Sequence, residues 1–252
     1  MFDVLKSGIL KKGVVTTGWP NAPFKPAERF MGKPVVDETK CRRCGKCRDI
    51  CPTGAIGQFN GIDMGRCIFC AACADACPAI RMTGEYRLAW RREPEKELDE
   101  LGNELKRKID KAFGRSLAIR EVDAGSCNGC EVEVNALSNA IYDIERFGLH
   151  VVASPRHADA LLVTGPVTRN MEHALLQTYK ATPAPKMVIA MGACAISGGI
   201  FRGAYPVQNG VDAVLPVDVY IPGCPPRPQA IIYGIMLAID RVTTDSQIPD
   251  MK

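Results

Sequence analysis

Twelve cysteines are the residues of this 252-residue sequence whose type and spacing could do chemistry. Eight of them form two runs, CRRCGKCRDICP from Cys41 to Pro52 and CIFCAACADACP from Cys67 to Pro78. Each run has three thiols within seven residues, so a tightly coiled backbone could wrap them around one corner of an iron–sulfur cube. The fourth iron then needs a ligand from elsewhere, and the proline prevents the turn from continuing as a helix.

The spacing C-x₂-C-x₂-C-x₃-C-P resembles that of bacterial two-cluster ferredoxins, in which the fourth cysteine of each run ligates the other cluster. The resemblance implies that one [4Fe–4S] cluster is held by Cys41, Cys44, Cys47 and Cys77. It implies that the second is held by Cys67, Cys70, Cys73 and Cys51. Structural zinc is the alternative, but it usually pairs two separated C-x₂-C knuckles in one tetrahedron. Two triplets with two Cys-Pro pairs fit zinc poorly.

Several short apolar runs in the second half, each followed by Gly, Pro or Ser, predict strands. They are LAIREVD from Leu117, then LHVVAS, ALLVTG, KMVIAM and PVDVYIPG, with helical stretches between most of them. One such helix is predicted over residues 131–147, with Gly148 as its stop. This alternation predicts an α/β domain with a doubly wound parallel sheet of the flavodoxin type.

The remaining four cysteines follow predicted strands. Cys127 and Cys130 come after the first strand, Cys194 after KMVIAM, and Cys224 after VDVYI. Open α/β sheets bind ligands at this carboxyl edge. A C-x-x-C pair could instead be a redox dithiol, and a lone cysteine is usually core. Four cysteines at one edge favour a third [4Fe–4S] cluster, which backbone could approach closely at Gly129, Gly192, Gly198, Gly199 and Gly223.

The sequence predicts four segments. Residues 1–36 are predicted to be an extended, proline-rich arm that starts with a short amphipathic helix, and residues 37–92 an α+β two-[4Fe–4S] ferredoxin domain. Residues 93–116 are predicted to be a helical linker, because Leu98, Leu101 and Leu105 recur at helical spacing. Residues 117–252 are predicted to be the α/β domain with its own cluster.

Composition narrows the class of protein. The net charge of +4 divides into +7 over residues 1–116 and −3 over residues 117–252. A basic half can indicate nucleic-acid binding. Because a cube with four thiolates carries roughly two negative charges, local compensation is the better explanation, and no nucleic-acid partner is expected. No apolar run reaches the ~18 residues of a membrane span. All twelve cysteines can be assigned to clusters, which favours a reducing cytoplasm over a disulfide-forming compartment.

Four stretches of the second half are distinctive: SCNGCE from Ser126, SPRHAD from Ser154, GAC from Gly192 and PGCPP from Pro222. They resemble the small subunit of [NiFe] hydrogenases, most of all the membrane-bound, energy-converting group that includes formate hydrogenlyase. Upstream, the MFxxLK start, RCIFC from Arg66 and EYRLA from Glu85 resemble the two-cluster ferredoxin subunit of the same complexes. The chain therefore looks like a fusion of two subunits.

The resemblance implies an electron-transfer role. The cluster of Cys127, Cys130, Cys194 and Cys224 would be proximal to a NiFe site on a partner large subunit, and no catalytic residue lies on this chain. The two ferredoxin clusters would lead to a donor module, such as formate dehydrogenase or a ferredoxin-like subunit. Membrane-arm subunits would hold the complex on the cytoplasmic face of the cell membrane, with this chain peripheral.

Two alternatives stay open. The small subunit of respiratory complex I resembles the same domain, but it has two adjacent cysteines where this chain has Cys127-Asn128-Gly129-Cys130. A nickel-free, ion-pumping relative of complex I is therefore one alternative, and a free soluble polyferredoxin is the other. We expect no twin-arginine leader and no carboxyl extension with further clusters, which favours the cytoplasm-facing, membrane-associated group.

Overall fold

The computed structural model describes residues 16–18, 26–57, 61–92 and 116–239. The short amphipathic helix predicted at the start of the arm, and all but residue 116 of the helical linker predicted over residues 93–116, lie outside these ranges. Within the ranges, no helix is both long enough and apolar enough to cross a bilayer.

The cysteine runs lie in a small α+β unit. Strand β1 (Pro34–Val36) pairs antiparallel with β2 (Ile80–Met82). The first strand of this unit therefore lies within residues 1–36, the range predicted as an arm. Helices α1 (Lys46–Asp49) and α2 (Ala72–Ala76) each contain the third cysteine of a run, Cys47 and Cys73, and contact each other. A small core of Cys47, Ile56 and Ile80 holds the unit together, with Cys51, Cys73 and Cys77 packed against it.

The second unit is built on a six-stranded sheet. Its strands are β3 (Trp90–Arg91), β4 (Leu117–Asp123), β5 (Leu149–Val151), β6 (Ala160–Thr164), β7 (Met187–Met191) and β8 (Val219–Ile221). The spatial order is β3-β8-β7-β6-β4-β5, and all pairs except β3-β8 are parallel. The five parallel strands thus follow the flavodoxin order, in which the first strand lies between the second and the third. The predicted doubly wound sheet is confirmed.

Helices cover both faces of this sheet. They are α3 (Gly129–Ala136), α4 (Arg169–Ala181), α5 (Ala193–Ser197) and α6 (Pro228–Ala238). Along the fully buried strand β6, Ala160 and Leu162 pack towards α3 and α6, whereas Leu161 and Val163 pack towards α4 and α5. Burial on both faces explains why the strands are continuous apolar runs rather than alternating ones.

Strand β3 is an antiparallel edge that the sequence did not predict. Trp90 pairs with Tyr220 and Arg91 with Val219, and the Trp90 and Tyr220 rings stack with centroids 5.3 Å apart. The Arg91 guanidinium donates to the Leu237 carbonyl at the end of α6. The chain that leaves the cysteine-rich unit is thereby built into the sheet of the second unit.

The helix predicted over residues 131–147 is wrong in its length. Helix α3 ends at Ala136, and a 3₁₀ turn at Ile144–Phe147 precedes β5. The Asn139 side chain accepts hydrogen bonds from the amides of Ile141 and Tyr142, which offers those amides a partner outside the helix. The apolar periodicity continues past this point, but the helical backbone does not.

Candidate iron–sulfur sites

The two cysteine runs adopt the same backbone conformation. Arg43 (φ 53°) and Gly45 (φ 79°) are left-handed in the first run, and Phe69 (φ 56°) and Ala71 (φ 62°) are left-handed at the equivalent positions of the second. A non-glycine residue is destabilised by about 1–2 kcal/mol in this region. The repetition of this left-handed conformation at the same positions of both runs indicates that one functional constraint is shared by both.

That conformation directs backbone amides at sulfur. The amide of Arg43 donates to Cys41 Sγ at 3.4 Å, and that of Phe69 donates to Cys67 Sγ at the same distance. Burial raises the pKa of the Cys51 thiol, but hydrogen bonds from Thr53 and Ala55 outweigh it, and the net shift is downward. Amides that point at sulfur stabilise thiolate ligands and tune the potential of a cluster.

The eight cysteines of the runs divide between two cavities. One cavity is lined by Cys41, Cys44, Cys47 and Cys77, which we call the outer group. The other is lined by Cys51, Cys67, Cys70 and Cys73, which we call the inner group. Each group combines three cysteines of one run with the fourth cysteine of the other run. The structure thus brings together the residues that the ferredoxin resemblance pairs.

Electrostatic coupling follows the same division. Burial, and then the neighbouring thiolates of Cys77 and Cys41, raise the pKa of Cys47. Burial, with the thiolates of Cys73, Cys51 and Cys70, raises the pKa of Cys67 to about 11. Thiols in this state bind iron only when the metal supplies positive charge that replaces the proton.

The four cysteines of the α/β domain meet at the carboxyl edge of its sheet, and we call them the sheet-edge group. Cys130 lies in the first turn of α3, Cys194 lies in α5 directly after β7, and Cys127 and Cys224 lie in loops. Burial raises the pKa of Cys130, and the charges of Glu131, Cys194, Cys224 and Cys127 raise it further. Burial and the charges of Cys224, Cys127 and Glu131 raise the pKa of Cys194 to about 11.

Two glycines let the backbone approach the sulfurs of this group. A Cβ added at Gly192 (φ 91°) would lie 2.8 Å from Cys130 Sγ. One added at Gly199 (φ 53°) would lie 2.9 Å from Cys194 Sγ. Both positions also have a positive φ, where glycine is strongly favoured. Side chains are therefore excluded from the edge where sulfur ligands would surround a cluster.

The residues present fit cubes better than single ions. Among the described side chains, no group of three or more His, Cys, Asp or Glu residues is arranged to hold one metal ion. The cysteines of the two runs instead surround cavities in sets of four, which suits a cube with iron at four corners.

The inner group adjoins the sheet-edge group. Cys70 is among the charges that raise the pKa of Cys224, after burial and Cys127. A buried hydrogen bond from the Ser197 hydroxyl to the Gly65 carbonyl, at 2.9 Å, joins α5 to the segment that leads into the second run. The Arg227 guanidinium also lies over the Phe30 ring, 4.5 Å from its centroid. These contacts hold the two units together beside the cysteines.

A polar cluster beneath the sheet-edge group contains residues that the sequence did not single out as a set. The Thr164 hydroxyl, at the end of β6, donates to Glu131 Oε1 and lies 3.4 Å from Glu121 Oε1. Burial raises the pKa of Glu121, and the charges of Glu131 and Asp123 raise it further. Glu131 could be noticed because it follows Cys130, but Thr164 and Glu121 belong to different strands and carry no local signal.

Two family models match the chain. The model described as the 20 kDa subunit of NADH ubiquinone oxidoreductase matches residues 127–238. The model described as a 4Fe-4S binding domain matches residues 34–57 and 61–79. The first match starts at Cys127 and contains the whole sheet-edge group, and the second covers the runs that contain the outer and inner groups.

Three curated relatives are similar over about half of the chain. Formate hydrogenlyase subunit 7 of Escherichia coli is 49% identical over 56% of this chain and 56% of its own length. A probable membrane-bound hydrogenase subunit of Pyrococcus furiosus is 48% identical over 52% of this chain and 79% of its own length. An NADH-quinone oxidoreductase subunit of Bacteroides thetaiotaomicron is 54% identical over 49% of this chain and 63% of its own length. The chain thus spans little more than half of the formate hydrogenlyase subunit.

Proposed function

Because this chain belongs to the family of the NADH ubiquinone oxidoreductase 20 kDa subunit and of membrane-bound hydrogenase subunits, we propose that it is the electron-transfer subunit of a membrane-bound [NiFe] hydrogenase. A 4Fe-4S ferredoxin domain precedes the family's domain in this chain. In this proposal it connects a donor module, with formate dehydrogenase as the first candidate, to a NiFe site on a partner large subunit. It holds no NiFe site itself.

The sorting of twelve cysteines into three groups of four carries the proposal. Three [4Fe–4S] clusters, when bound, supply one-electron transfer without substrate chemistry on this chain. The protein contributes the ligands, the amides that point at Cys41 and Cys67, and the burial that sets their surroundings.

The position of Cys70 beside Cys224 supports one order for the three sites. The outer group would lie at the donor end, the inner group in the middle, and the sheet-edge group nearest to the partner's nickel. The bond from Ser197 to Gly65 and the pairing of β3 with β8 would keep the middle and last sites at a fixed separation. A fixed separation matters because the rate of electron tunnelling falls steeply with distance.

The remaining partners follow from the same proposal. Membrane-arm subunits of the complex would anchor it, and this chain would be peripheral on the cytoplasmic face of the cell membrane. The proposal gives the chain no nucleic-acid partner.

A nickel-free, complex I-like oxidoreductase that pumps ions is the second candidate. It is favoured by the 54% identity to the NADH-quinone oxidoreductase subunit of Bacteroides thetaiotaomicron. The C-x-x-C spacing of Cys127 and Cys130 is the feature on which we prefer the hydrogenase. Nickel analysis of the purified complex separates the two, since only the hydrogenase would contain nickel in its large subunit.

Two cysteine variants of the intact complex test the proposed role. Cys224→Ser should abolish hydrogen evolution with reduced methyl viologen as an artificial donor, because it removes a ligand from the site nearest to the nickel. Cys70→Ser should mainly reduce hydrogen evolution driven by the natural donor, because an artificial donor can reach the sheet-edge site directly. Hydrogen is measured by gas chromatography. If the two variants are indistinguishable with both donors, the proposed order is wrong.

A further inference from the structure

The backbone follows a different path after the fourth cysteine of each run. After Cys51 the chain makes a turn, in which Gly54 has φ 60° and Ala55 is buried. After Cys77 it leads within three residues into strand β2 (Ile80–Met82), which pairs with β1. The residues after Cys77 therefore take part in a sheet, whereas the turn after Cys51 directs its donors back at the sulfur.

Two donors of this turn reach Cys51 Sγ. The amide of Ala55 donates to it at 3.3 Å, and the Thr53 hydroxyl oxygen lies 3.7 Å from it. A thiolate bound to iron has no proton to give, so the hydroxyl is the donor in the second bond. Thr53 also lines the cavity of the inner group. The second run has Ala79 at the equivalent position, which has no hydroxyl to donate.

The inner and outer cavities differ in the charge around them. Among the described residues, no Lys or Arg lines the inner cavity, whose lining includes Ile62 and Met82. The outer cavity is lined by several cations, among them Arg42, Arg43 and Lys46. Reduction adds one electron to a cube that already carries roughly two negative charges, and apolar surroundings disfavour the added charge. These surroundings alone would lower the reduction potential of a cluster in the inner cavity.

We propose that Thr53 raises the reduction potential of the inner cluster, the one that the inner group would hold, through the hydrogen bond from its hydroxyl to Cys51 Sγ. The bond strengthens when the cluster gains an electron and the sulfur becomes more negative, so it stabilises the reduced state. No bond to iron is made or broken in this one-electron step. Thr53 acts through Cys51 and is therefore a positioning residue.

The inference rests on the proposed function, because it takes the inner cluster as the middle one of three. A middle cluster with a much lower potential than its neighbours would be an uphill step for every electron that crosses it. The hydrogen bonds from Thr53 and Ala55 offset the lack of cations in the inner cavity and reduce that step.

Two substitutions in the intact complex separate the hydroxyl of Thr53 from the shape of its side chain. Thr53→Val keeps the β-branched shape without the hydroxyl, and Thr53→Ser keeps the hydroxyl. A matched control, Thr83→Val, removes a hydroxyl of the same unit that donates to the Lys33 carbonyl at 2.8 Å and not to sulfur. The inner cluster is identified as the one whose EPR signal is lost in Cys70→Ser.

A redox titration followed by EPR gives the potential of the inner cluster in each complex. In Thr53→Val, the ratio of reduced to oxidised inner cluster at a fixed potential should fall by up to about tenfold, which is about 59 mV for one electron. Thr53→Ser and Thr83→Val should match the unmodified complex, and the other two clusters should keep their potentials. An unchanged inner potential in Thr53→Val, an equal fall in Thr83→Val, or no recovery in Thr53→Ser would overturn the inference.

A measurement on the unmodified complex decides the case in which Thr53→Val loses its inner cluster. Electron–nuclear double resonance of the reduced inner cluster should show a coupled proton that is replaced within a short soak in D₂O. A hydroxyl proton exchanges quickly, whereas the amide proton of the buried Ala55 exchanges only when the turn opens. If no rapidly exchanging proton is coupled to this cluster, the hydroxyl does not donate to its sulfur and the inference is wrong.

Iron content separates this inference from the proposed function. An unmodified complex with about twelve irons per chain, together with an unchanged inner potential in Thr53→Val, would overturn only the role of Thr53. An unmodified complex with about eight irons or fewer would overturn the three-cluster proposal on which the inference rests.

Discussion

Replacing Gly192 by alanine would place a methyl group against a ligand of the sheet-edge group. The added Cβ would lie 2.8 Å from Cys130 Sγ, and its next neighbour, the Gly223 carbonyl oxygen, is 3.7 Å away. The distance from the added Cβ to the Cys130 sulfur is about 0.7 Å shorter than the ~3.5 Å at which non-bonded heavy atoms pack. Metal–ligand distances tolerate only about 0.2 Å, so the sulfur could not yield and still bind iron.

A second cost of this change is conformational, and a control variant isolates it. Gly192 has φ 91°, and alanine is destabilised by about 1–2 kcal/mol at positive φ. Gly203 has φ 78°, and a Cβ added there meets no heavy atom within 4 Å. Gly203→Ala should therefore lower the free energy of unfolding by a similar amount without touching a ligand.

Iron analysis of the two variants, each purified in its complex, distinguishes the effects. Gly192→Ala should retain about eight irons per chain and Gly203→Ala about twelve, at four per cube. The EPR signal of one reduced cluster should be missing in the first variant only. Full iron occupancy in Gly192→Ala, or an equal loss in Gly203→Ala, would refute the assignment of Cys130 as a cluster ligand beside this glycine.

Two further predictions concern stability. Glu85 accepts hydrogen bonds from Arg87 Nε at 2.9 Å and Nη2 at 2.7 Å; burial raises its pKa, but these bonds outweigh burial and lower it. The stabilisation from these hydrogen bonds is therefore fully present above the pKa that Glu85 has in the unfolded chain. It is lost as pH falls through the lower pKa that Glu85 has in the folded chain. Glu85→Gln should cost about 0.5–1 kcal/mol in urea unfolding at pH 7, since the site is partly exposed, and this cost should shrink as pH falls through the folded pKa; a cost that stays the same as the pH is lowered would contradict this. Ser197→Ala, which leaves the buried Gly65 carbonyl without its donor, should cost about 1–2 kcal/mol. Thr178→Ala, which removes only a hydroxyl bond within α4, should cost less; equal losses would show that the bond to Gly65 adds nothing.

The strands of the α/β domain were predictable because their signals are local. Leu161 and Val163 alternate with Ala160 and Leu162 in one buried run, and such runs separated by helices have few topologies open to them. The carboxyl edge that collects the sheet-edge group follows from the parallel arrangement alone.

Other features were not predictable because they depend on contacts that residue type and spacing do not encode. Strand β3 is only two residues long, and its pairing depends on Trp90 meeting Tyr220 across the sheet. Helix α3 stops early because the Asn139 side chain takes up backbone amides that periodicity assigns to the helix. Phe69 has no left-handed preference as a residue type, and its conformation accompanies the hydrogen bond from its amide to the sulfur of Cys67.

The number of iron atoms and acid-labile sulfides bound per chain is the quantity on which the account depends most directly. Chemical analysis of the purified complex should give about twelve of each for this chain. Iron in other subunits is subtracted by comparing the complex with variants in which this chain's cluster cysteines are changed to serine. Zinc in place of iron, or iron that does not fall by about four when Cys44, Cys70 or Cys224 is changed to serine, would contradict the sorting of these cysteines into three cluster sites.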